Sequence, residues 1–384
     1  MSMLNHLQGY QGYQGYQGYQ GYQGYQGYQG YQGYQGYAAA TLMPGADPAV
    51  SWGLITNRDA VMQPHGADAI LWSRGPQELP EVGKPKNIWL WSADVRHQNL
   101  LVELVGSLRI SSSSVKQSAM IEHVDWQAGA ATTQPVVEVI RPTVEVFRAQ
   151  TNLVNDWSEL RAERAQEVLT QLAVPLQYWG AILDLNPNDH RFTLELVQLA
   201  LALAQWVNQP IKHHLACPRP VAYSPGIQPI INAGRFSAFP SGHAVEAFLL
   251  ARLFQRLSGE KVGCELDKQL QRLAARIANN RVVAGVHFPI DATAGRMVGE
   301  TLAEYLLARL HAGGASGWIC RKFDGQGINA TDDVVVKGFN KNEPMNGPHG
   351  VPAYFSGSAT APSQPACKSR LLGQLWTKVK DEWR

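Results

Sequence analysis

The sequence has no long apolar run and no recognisable leader. Its longest apolar segment, residues 194–207, contains Glu195 and Gln198, whereas a helix that crosses a bilayer needs about 20 consecutive, mostly apolar residues. The first residues, MSMLNHL, lack the basic start and apolar core of a secretory signal peptide. From these absences we expect a soluble, cytoplasmic protein without a transmembrane segment.

The sequence also has few cysteines and a small net charge. Cys217, Cys264, Cys320 and Cys367 are widely spaced and form no Cys-X-X-Cys pair, which favours free thiols over a zinc site or a disulfide framework. The formal charge of +2 comes from charges of both signs mixed along the chain, which argues against a nucleic-acid partner. The histidines without ligand-like spacing, to which we assign no metal, are His65, His97, His123, His190, His311 and His349.

Residues 8–37 consist of ten uninterrupted Gln-Gly-Tyr triplets. The tract has no aliphatic side chain to bury and a glycine at every third position, so we expect residues 1–40 to be disordered. Two interpretations stay open for the tyrosines: a self-association segment or a neutral repeat expansion. The oligomeric state is open too, a homo-oligomer included.

Residues 41–150 have an irregular pattern with some strand character. The segments NIWLW at 87–91 and PVVEVIRPTVEVF at 135–147 alternate β-branched and aromatic residues. We expect this N-terminal region to wrap around the domain that follows. A loop-rich tail is expected over 313–384, with a linker at 356–366 and an amphipathic helix from Ser369 to Arg384. That helix has three candidate surfaces: its own domain, a sister subunit or a membrane.

Residues 151–312 carry helical periodicity, and we expect them to form a helical domain that contains the three segments described below. Asn155 and Asp156 are suitable N-caps for a first helix that starts with WSELRAERA. Further helices are predicted near 193–207, 242–257, 265–279 and 290–310. Short connections between several helices indicate an all-α helical bundle, preceded by an irregular or partly β N-terminal region.

Lys212 and Arg219 are the first pair of residues that indicate chemistry. They lie seven residues apart, which places both on one helix face if the helix persists. Pro218 and Pro220 restrict the backbone around Arg219. A lysine point charge beside an arginine fork suits an oxyanion. We therefore predict an anion clamp.

The second segment is Pro240-Ser241-Gly242-His243, placed at the start of an apolar helix. Helix N-termini expose unpaired N–H groups and carry partial positive charge. Gly242 allows close approach of the backbone to an anion, and the Ser241 hydroxyl adds a donor. His243 would lie beside the bound oxyanion and could donate or accept a proton there.

Arg281, His287 and Asp291 form the third segment. Arg281 adds a third cation to the clamp. Asp291 lies four residues after His287 and could accept a hydrogen bond from one ring nitrogen, which fixes the tautomer and leaves the other nitrogen as a nucleophile. The three segments together predict group transfer at an oxyanion such as phosphate or vanadate.

In order and spacing, the three segments resemble the signature of the type 2 phosphatidic acid phosphatase and vanadium haloperoxidase superfamily. That signature reads Lys, six residues, Arg-Pro; then Pro-Ser-Gly-His; then Ser-Arg, five residues, His, three residues, Asp. Asn280 stands where the family usually has Ser, and every other position is matched. The resemblance implies the acid phosphatase/vanadium haloperoxidase type of helical bundle and covers about residues 212–291.

The resemblance implies two reactions. In the haloperoxidase branch vanadate is the cofactor, His287 is the vanadium ligand, and the substrates are hydrogen peroxide and a halide. In the phosphatase branch no cofactor is needed, and His287 attacks a phosphate ester while His243 protonates the leaving group. In both branches Lys212, Arg219, Arg281, Ser241 and Gly242 bind the oxyanion.

Phe236 favours the interpretation that the chain is a soluble bacterial haloperoxidase-like member of this superfamily. It lies seven residues before His243, where it resembles a phenylalanine of fungal chloroperoxidases, and it would line a halide-side pocket. The interval of 19 residues between Pro220 and Pro240 is closer to bacterial acid phosphatases. A third hypothesis of another class is a self-assembling protein with a vestigial site.

Overall fold

The computed structural model describes residues 52–54, 56–57, 78–127, 130–173, 175–310, 317–328, 330–331, 333, 354–360 and 369–384. The chain divides into two compact units, Met1–Lys84 and Pro85–Arg384. In the first unit, residues 52–54 and 56–57 are helical. The Gln-Gly-Tyr tract predicted to be disordered lies outside the described residues. The candidate site belongs to the second unit.

The described part of the second unit is mostly helical, as the sequence predicted. The helices are α1 Ala93–Val105, α2 Val144–Trp157, α3 Arg161–Thr170, α4 Leu176–Leu183, α5 Arg191–Leu215, α6 Gly242–Leu257, α7 Glu265–Val283, α8 Pro289–Leu310 and α9 Arg370–Glu382. Short 3-10 turns span Pro85–Leu90, Ser158–Leu160, Pro220–Ala222 and Pro225–Ile227. None of the described helices combines the length and the apolar character needed to cross a bilayer.

A five-stranded sheet accompanies the helices. Its strands, in spatial as well as chain order, are β1 Leu108–Ser113, β2 Ser118–Gln127, β3 Ala130–Ile140, β4 Trp318–Asp324 and β5 Tyr354–Thr360. The pairs are antiparallel except β3 with β4, which run parallel with Val137 opposite Arg321. Ile121, Val139 and Phe323 are fully buried. The strand β4 corrects the expectation that the chain is loose from residue 313 onward.

Three other local predictions, two of strands and one of a helix start, differ from the structure. NIWLW forms most of the 3-10 turn Pro85–Leu90 and not a strand. The segment 135–147 is a strand only to Ile140, because Thr143 then caps α2 by accepting a hydrogen bond from Val146 N. The proposed N-caps Asn155 and Asp156 lie in the last turn of α2.

Helix α8 is the centre of the helical region, with every residue buried except Glu304. It packs against α6 so closely that Gly295 and Gly299 have no room for a side chain. A Cβ built on Gly295 would lie 2.7 Å from Ser241 O, and one on Gly299 would lie 2.4 Å from Val245 O. Since α6 begins with Ser-Gly-His, this close contact sets the position of that segment.

A Gly299→Ala variant tests the close packing of α8 on α6. The added methyl group meets the backbone of α6, which cannot yield as a flexible side chain can, so we expect the free energy of unfolding to fall by about 1–3 kcal/mol. Urea unfolding measures the change. The control is Gly373→Ala in α9, where a Cβ meets no described atom within 4 Å and alanine's helix propensity should stabilise by about 0.5–1 kcal/mol. If both variants gain stability, the packing is looser than described.

The terminal helix α9 docks on its own chain, which was one of the three surfaces expected for it. Its apolar residues Leu372, Leu375, Trp376 and Val379 are buried. The Glu382 carboxylate accepts hydrogen bonds at 2.7 Å from the backbone N–H groups at positions 192 and 193 and from the Thr193 hydroxyl. A carboxylate at a helix N-terminus satisfies donors that lack intrahelical partners. The end of the chain therefore caps α5, the helix that carries Lys212.

Candidate active site

The first segment departs from its predicted geometry. Helix α5 ends at Leu215, where Ala216 adopts a left-handed conformation with φ of 49°, so the expectation that Lys212 and Arg219 share one helix face is wrong. Arg219 lies in extended backbone, because the flanking prolines cannot continue the helix. Both cations still meet over Phe236, whose ring centroid is 5.5 Å from Lys212 Nζ and 4.5 Å from Arg219 Cζ.

Lys212 is buried, and its ammonium donates to the carbonyl oxygens of Ser237 at 2.9 Å and Ala238 at 2.8 Å. Burial, and then the charge of Arg219, lower the pKa of this lysine. The two carbonyls fix the ammonium in place beside Arg219.

Arg219 connects the first segment to the third. Its Nε donates to Phe236 O at 3.1 Å, and its Nη1 donates to Val286 O at 2.7 Å and to His287 Nε2 at 2.9 Å. A guanidinium can only donate, so His287 Nε2 must be the acceptor. The ring nitrogen that faces the cations therefore carries a lone pair.

The opposite nitrogen of His287 is held by Asp291. His287 Nδ1 donates to Asp291 Oδ2 at 2.8 Å, and Phe288 N donates to the same oxygen at 3.0 Å. Burial, followed by Arg219 and Lys212, lowers the pKa of His287 well below its ordinary value. Burial raises the pKa of Asp291. The imidazole is thus neutral, with Nε2 as its free base.

The second segment lies at the start of α6 and is tied to the third, because Ser241 N donates to Asp291 O at 2.9 Å. Ser241 Oγ is buried and has no hydrogen-bond partner in the described part of the chain. Gly242 lies against Asn208, whose Nδ2 would be 3.4 Å from an added Cβ. An unpartnered hydroxyl at a helix N-terminus is a donor available to a ligand.

His243 Nε2 lies 3.1 Å from Leu172 O. A carbonyl can only accept, so Nε2 carries the proton and Nδ1 the lone pair of a neutral ring. Burial and then Arg281 lower the pKa of His243 to about 3, which keeps the ring neutral.

Arg281 is buried and donates from Nη2 to Val168 O at 2.9 Å. Its Nε and Nη1 are buried without partners among the described residues. Burial lowers the pKa of Arg281 to about 10, so it remains a cation near neutral pH. Asn280, which replaces the usual serine, donates to Gln171 Oε1 at 2.8 Å and so ties α7 to the end of α3.

Two partners of the site were not found by sequence analysis. The carbonyls of Val168 and Leu172 orient Arg281 and His243, and they lie at the end of α3 and just after it. Backbone carbonyls leave no mark on the side-chain pattern, so no signal could have identified them. The bidentate pair of Glu167 with Arg276, at 2.8 to 3.1 Å, anchors α3 to α7 beside them.

The structure brings the predicted residues of all three segments together in one cluster, the oxyanion cup, in which all but the half-buried Gly242 and His243 are buried. Its members are Lys212, Arg219, Ser241, Gly242, His243, Arg281 and His287, with Asp291 behind the last. Lys212, Arg219, His243 and Arg281 each act electrostatically on His287. Beside these cations, the buried donors Ser241 Oγ and Arg281 Nε and Nη1 have no partner in the described chain. The cup can bind a tetrahedral oxyanion and present Nε2 to its central atom.

Phosphate binding tests the oxyanion cup without any assay of turnover. A ligand that binds only the folded state at a hundred times its Kd raises the free energy of unfolding by about 2.7 kcal/mol, so we expect saturating orthophosphate or orthovanadate to raise the Tm. An Arg281→Gln variant should lose most of this increase, because the substitution removes the donors that lack protein partners. An equal concentration of chloride serves as the control. An unchanged Tm in both oxyanions would show that the cup does not bind them.

Comparison with known families agrees with this geometry. A mainly helical fold that brings three cations and two histidines to one site defines a class of proteins able to bind an oxyanion. A family model described as the PAP2 superfamily matches residues 195–312, a range that contains every residue of the cup. Residues 195–312 therefore resemble the PAP2 superfamily, whose members are typically phosphatases or haloperoxidases. No curated protein matches the chain.

Proposed function

We propose that the chain is a vanadate-dependent, haloperoxidase-like enzyme of the acid phosphatase/vanadium haloperoxidase bundle type. The observation that carries the choice is the tautomer of His243. Its Nε2–H donates to Leu172 O, so Nδ1 of the neutral ring is the proton acceptor. Deprotonation of hydrogen peroxide needs an acceptor, whereas a phosphatase needs a donor for the leaving group.

The residues fit vanadate. Ser241 Oγ and Arg281 Nε and Nη1 are buried donors with no partner in the described ranges, and an oxyanion would satisfy them. The charges of Lys212, Arg219 and Arg281 would balance a multiply charged anion. His287 Nε2 offers the lone pair that a vanadium atom would take, and Asp291 holds the ring with that nitrogen forward.

Bound vanadate would activate hydrogen peroxide, which oxidises a halide ion by two electrons to hypohalous acid while the peroxide is reduced to water. The protein's own residues would bind, orient and move protons. Arg219 and Arg281 would hold the oxyanion through charge-assisted hydrogen bonds, each contributing about 1.5–3 kcal/mol. His243 would accept the peroxide proton at Nδ1. Phe236 would shield the halide side, where its ring lies 4.5 Å from the Arg219 guanidinium carbon.

A phosphatase is the second candidate, and the same cup supports it. The donors that fit vanadate fit phosphate equally well, and the short interval between Pro220 and Pro240 resembles bacterial acid phosphatases. In this alternative His287 Nε2 attacks phosphorus and forms a phosphohistidine as the ester oxygen leaves. His243 must then be protonated, which requires the bound anion to raise its depressed pKa.

Two assays on one preparation separate the candidates. The full-length protein, stripped of bound oxyanion, is tested for bromination of a dione with peroxide and bromide and for hydrolysis of an aryl phosphate, before and after orthovanadate is added. Our proposal expects vanadate to switch bromination on. Hydrolysis that vanadate abolishes, without bromination, would instead identify a phosphatase. His214→Ala, at an exposed position outside the cup, is the matched control for histidine variants.

A further inference from the structure

A cleft of about 690 Å³ opens beside the oxyanion cup. Lys212 and Arg219 belong to both, and Phe236 lines the cleft. The rest of its lining comes from the end of α5, from residues 216–222 and from the loop 233–237. Among the described residues, none that lines this cleft is Asp or Glu, whereas Lys212, Arg219 and Arg235 carry positive charge. A cleft with cations and no carboxylate favours an anionic occupant.

Arg235 differs from the other two cations of the cleft because it makes no hydrogen bond or ion pair with the described residues. Lys212 is used by two backbone carbonyls, and Arg219 by Phe236 O, Val286 O and His287. Arg235 is exposed and takes part in none of the hydrogen bonds or ion pairs of the described chain. Its guanidinium therefore has donors to offer a carboxylate at the outer end of the cleft.

Phe236 provides a flat surface between Arg235 and the cup. It is 49 % exposed, unusual for a phenylalanine beside so many buried groups. One side of its ring is covered by the Arg219 guanidinium at 4.5 Å. Gly234, with φ of +67°, is so close that an added Cβ would lie 2.5 Å from Phe236 Cε1. A ring held in this way, with half of its surface free, suits stacking by a planar molecule.

Another part of the cleft lining is apolar as well. Val221 is 40 % exposed, and Pro218 and Ala222 line the cleft with it. Burial of these surfaces would favour an apolar ligand body, while Arg235 would favour one with an anionic group. The cleft is thus built for a molecule with both properties.

We propose that this cleft binds the organic substrate and selects planar, aromatic acids, with the ring on Phe236, the carboxylate on Arg235 and the reacting edge towards the cup. The inference rests on the proposed function, since it places the acceptor of the oxidised halogen within reach of the oxyanion cup. Phe236 and Arg235 are then specificity-determining residues. Small neutral acceptors would lack the contact with Arg235.

Calorimetric binding to the full-length protein tests the proposal, with saturating inorganic phosphate present to fill the cup. The probes are 4-hydroxybenzoate and its neutral analogue 4-hydroxybenzamide. We expect the acid to bind about tenfold more tightly, as one charge-assisted pair would give. Arg235→Gln should remove this preference, and Arg235→Lys should keep most of it. Phe236→Leu should weaken both probes by a similar factor.

The control variant is Arg272→Gln on the surface of α7, which should keep the full preference because Arg272 is 70 % exposed and paired with Glu265. Equal affinity for the two probes, or a preference that survives Arg235→Gln, would overturn the proposal. Failure of the proposed function looks different. In that case no halogenation occurs with vanadate, peroxide and bromide, while the preference in the binding experiment and its loss in Arg235→Gln remain.

Discussion

A His287→Ala variant loses turnover almost completely, by roughly a thousandfold or more, whichever of the two reactions the wild-type protein performs. The reason is geometric. His287 Nε2, 2.9 Å from Arg219 Nη1, carries the lone pair that would bond to the central atom of the anion, and alanine removes this nitrogen. The measurement is initial rate in the bromination and aryl-phosphate assays, with and without orthovanadate.

Binding separates loss of this bond from loss of the fold. Lys212, Arg219 and Arg281 remain in His287→Ala, and Arg219 keeps its bonds to Val286 O and Phe236 O. The variant should therefore still gain Tm with phosphate, although less than the wild type. His214→Ala should retain both turnover and phosphate binding. Full activity in His287→Ala would show that another group is the nucleophile or vanadium ligand.

The parts of the site that the sequence predicted are those encoded by local spacing. The start of α6 at Gly242 and of α7 at Glu265, as well as the end of α8 at Leu310, follow from local periodicity. The four-residue spacing of His287 and Asp291 leads to a 2.8 Å hydrogen bond between them. Such features depend on residues close in sequence, so pattern analysis can find them.

The features that the sequence did not predict depend on distant partners. The strand β4 pairs with β3, from which it is separated in sequence by most of the helices. No local pattern in Trp318–Asp324 predicts β3 as its partner. Arg219 reaches the cup from extended backbone rather than a helix, since its place is set by carbonyls of Val286 and Phe236. The residue types were therefore identified, while the path of the chain that joins them was not.

The same contrast applies to stability. The carboxylates that act on the buried cations of the cup are Asp291 and Glu246 at Lys212 and Glu167 at Arg281. Any positive charge that they leave uncompensated is costly in a folded protein. Tight packing elsewhere, such as α8 against α6 and the bidentate pair of Arg96 with Glu195 at 2.8 and 3.0 Å, must hold the cup together. A bound oxyanion would reduce the repulsion between these cations. Phosphate that binds in the cup should therefore raise the free energy of unfolding.

An Asp291→Asn variant should lower turnover by about 10²–10⁴-fold while leaving the fold intact. The amide oxygen can take the place of Oδ2 and accept from His287 Nδ1 and Phe288 N, so the ring keeps its orientation. What is lost is the negative charge that raises the basicity of Nε2 and offsets Lys212 and Arg219. The amide nitrogen would also replace Oδ1, which has no partner among the described residues.

The pH profile identifies the cause of that loss. Burial raises the pKa of Asp291 above its ordinary value, so the active carboxylate is present at high pH and is lost as pH falls through the raised value. The wild-type rate should therefore decline on the acid side at a pH well above 4, where a free aspartate titrates, and this decline should be absent in Asp291→Asn. Asp381→Asn, at an exposed position on α9, should keep the wild-type profile. If the acid-side decline persists unchanged in Asp291→Asn, another group sets it, and the carboxylate behind His287 orients the ring without tuning its basicity.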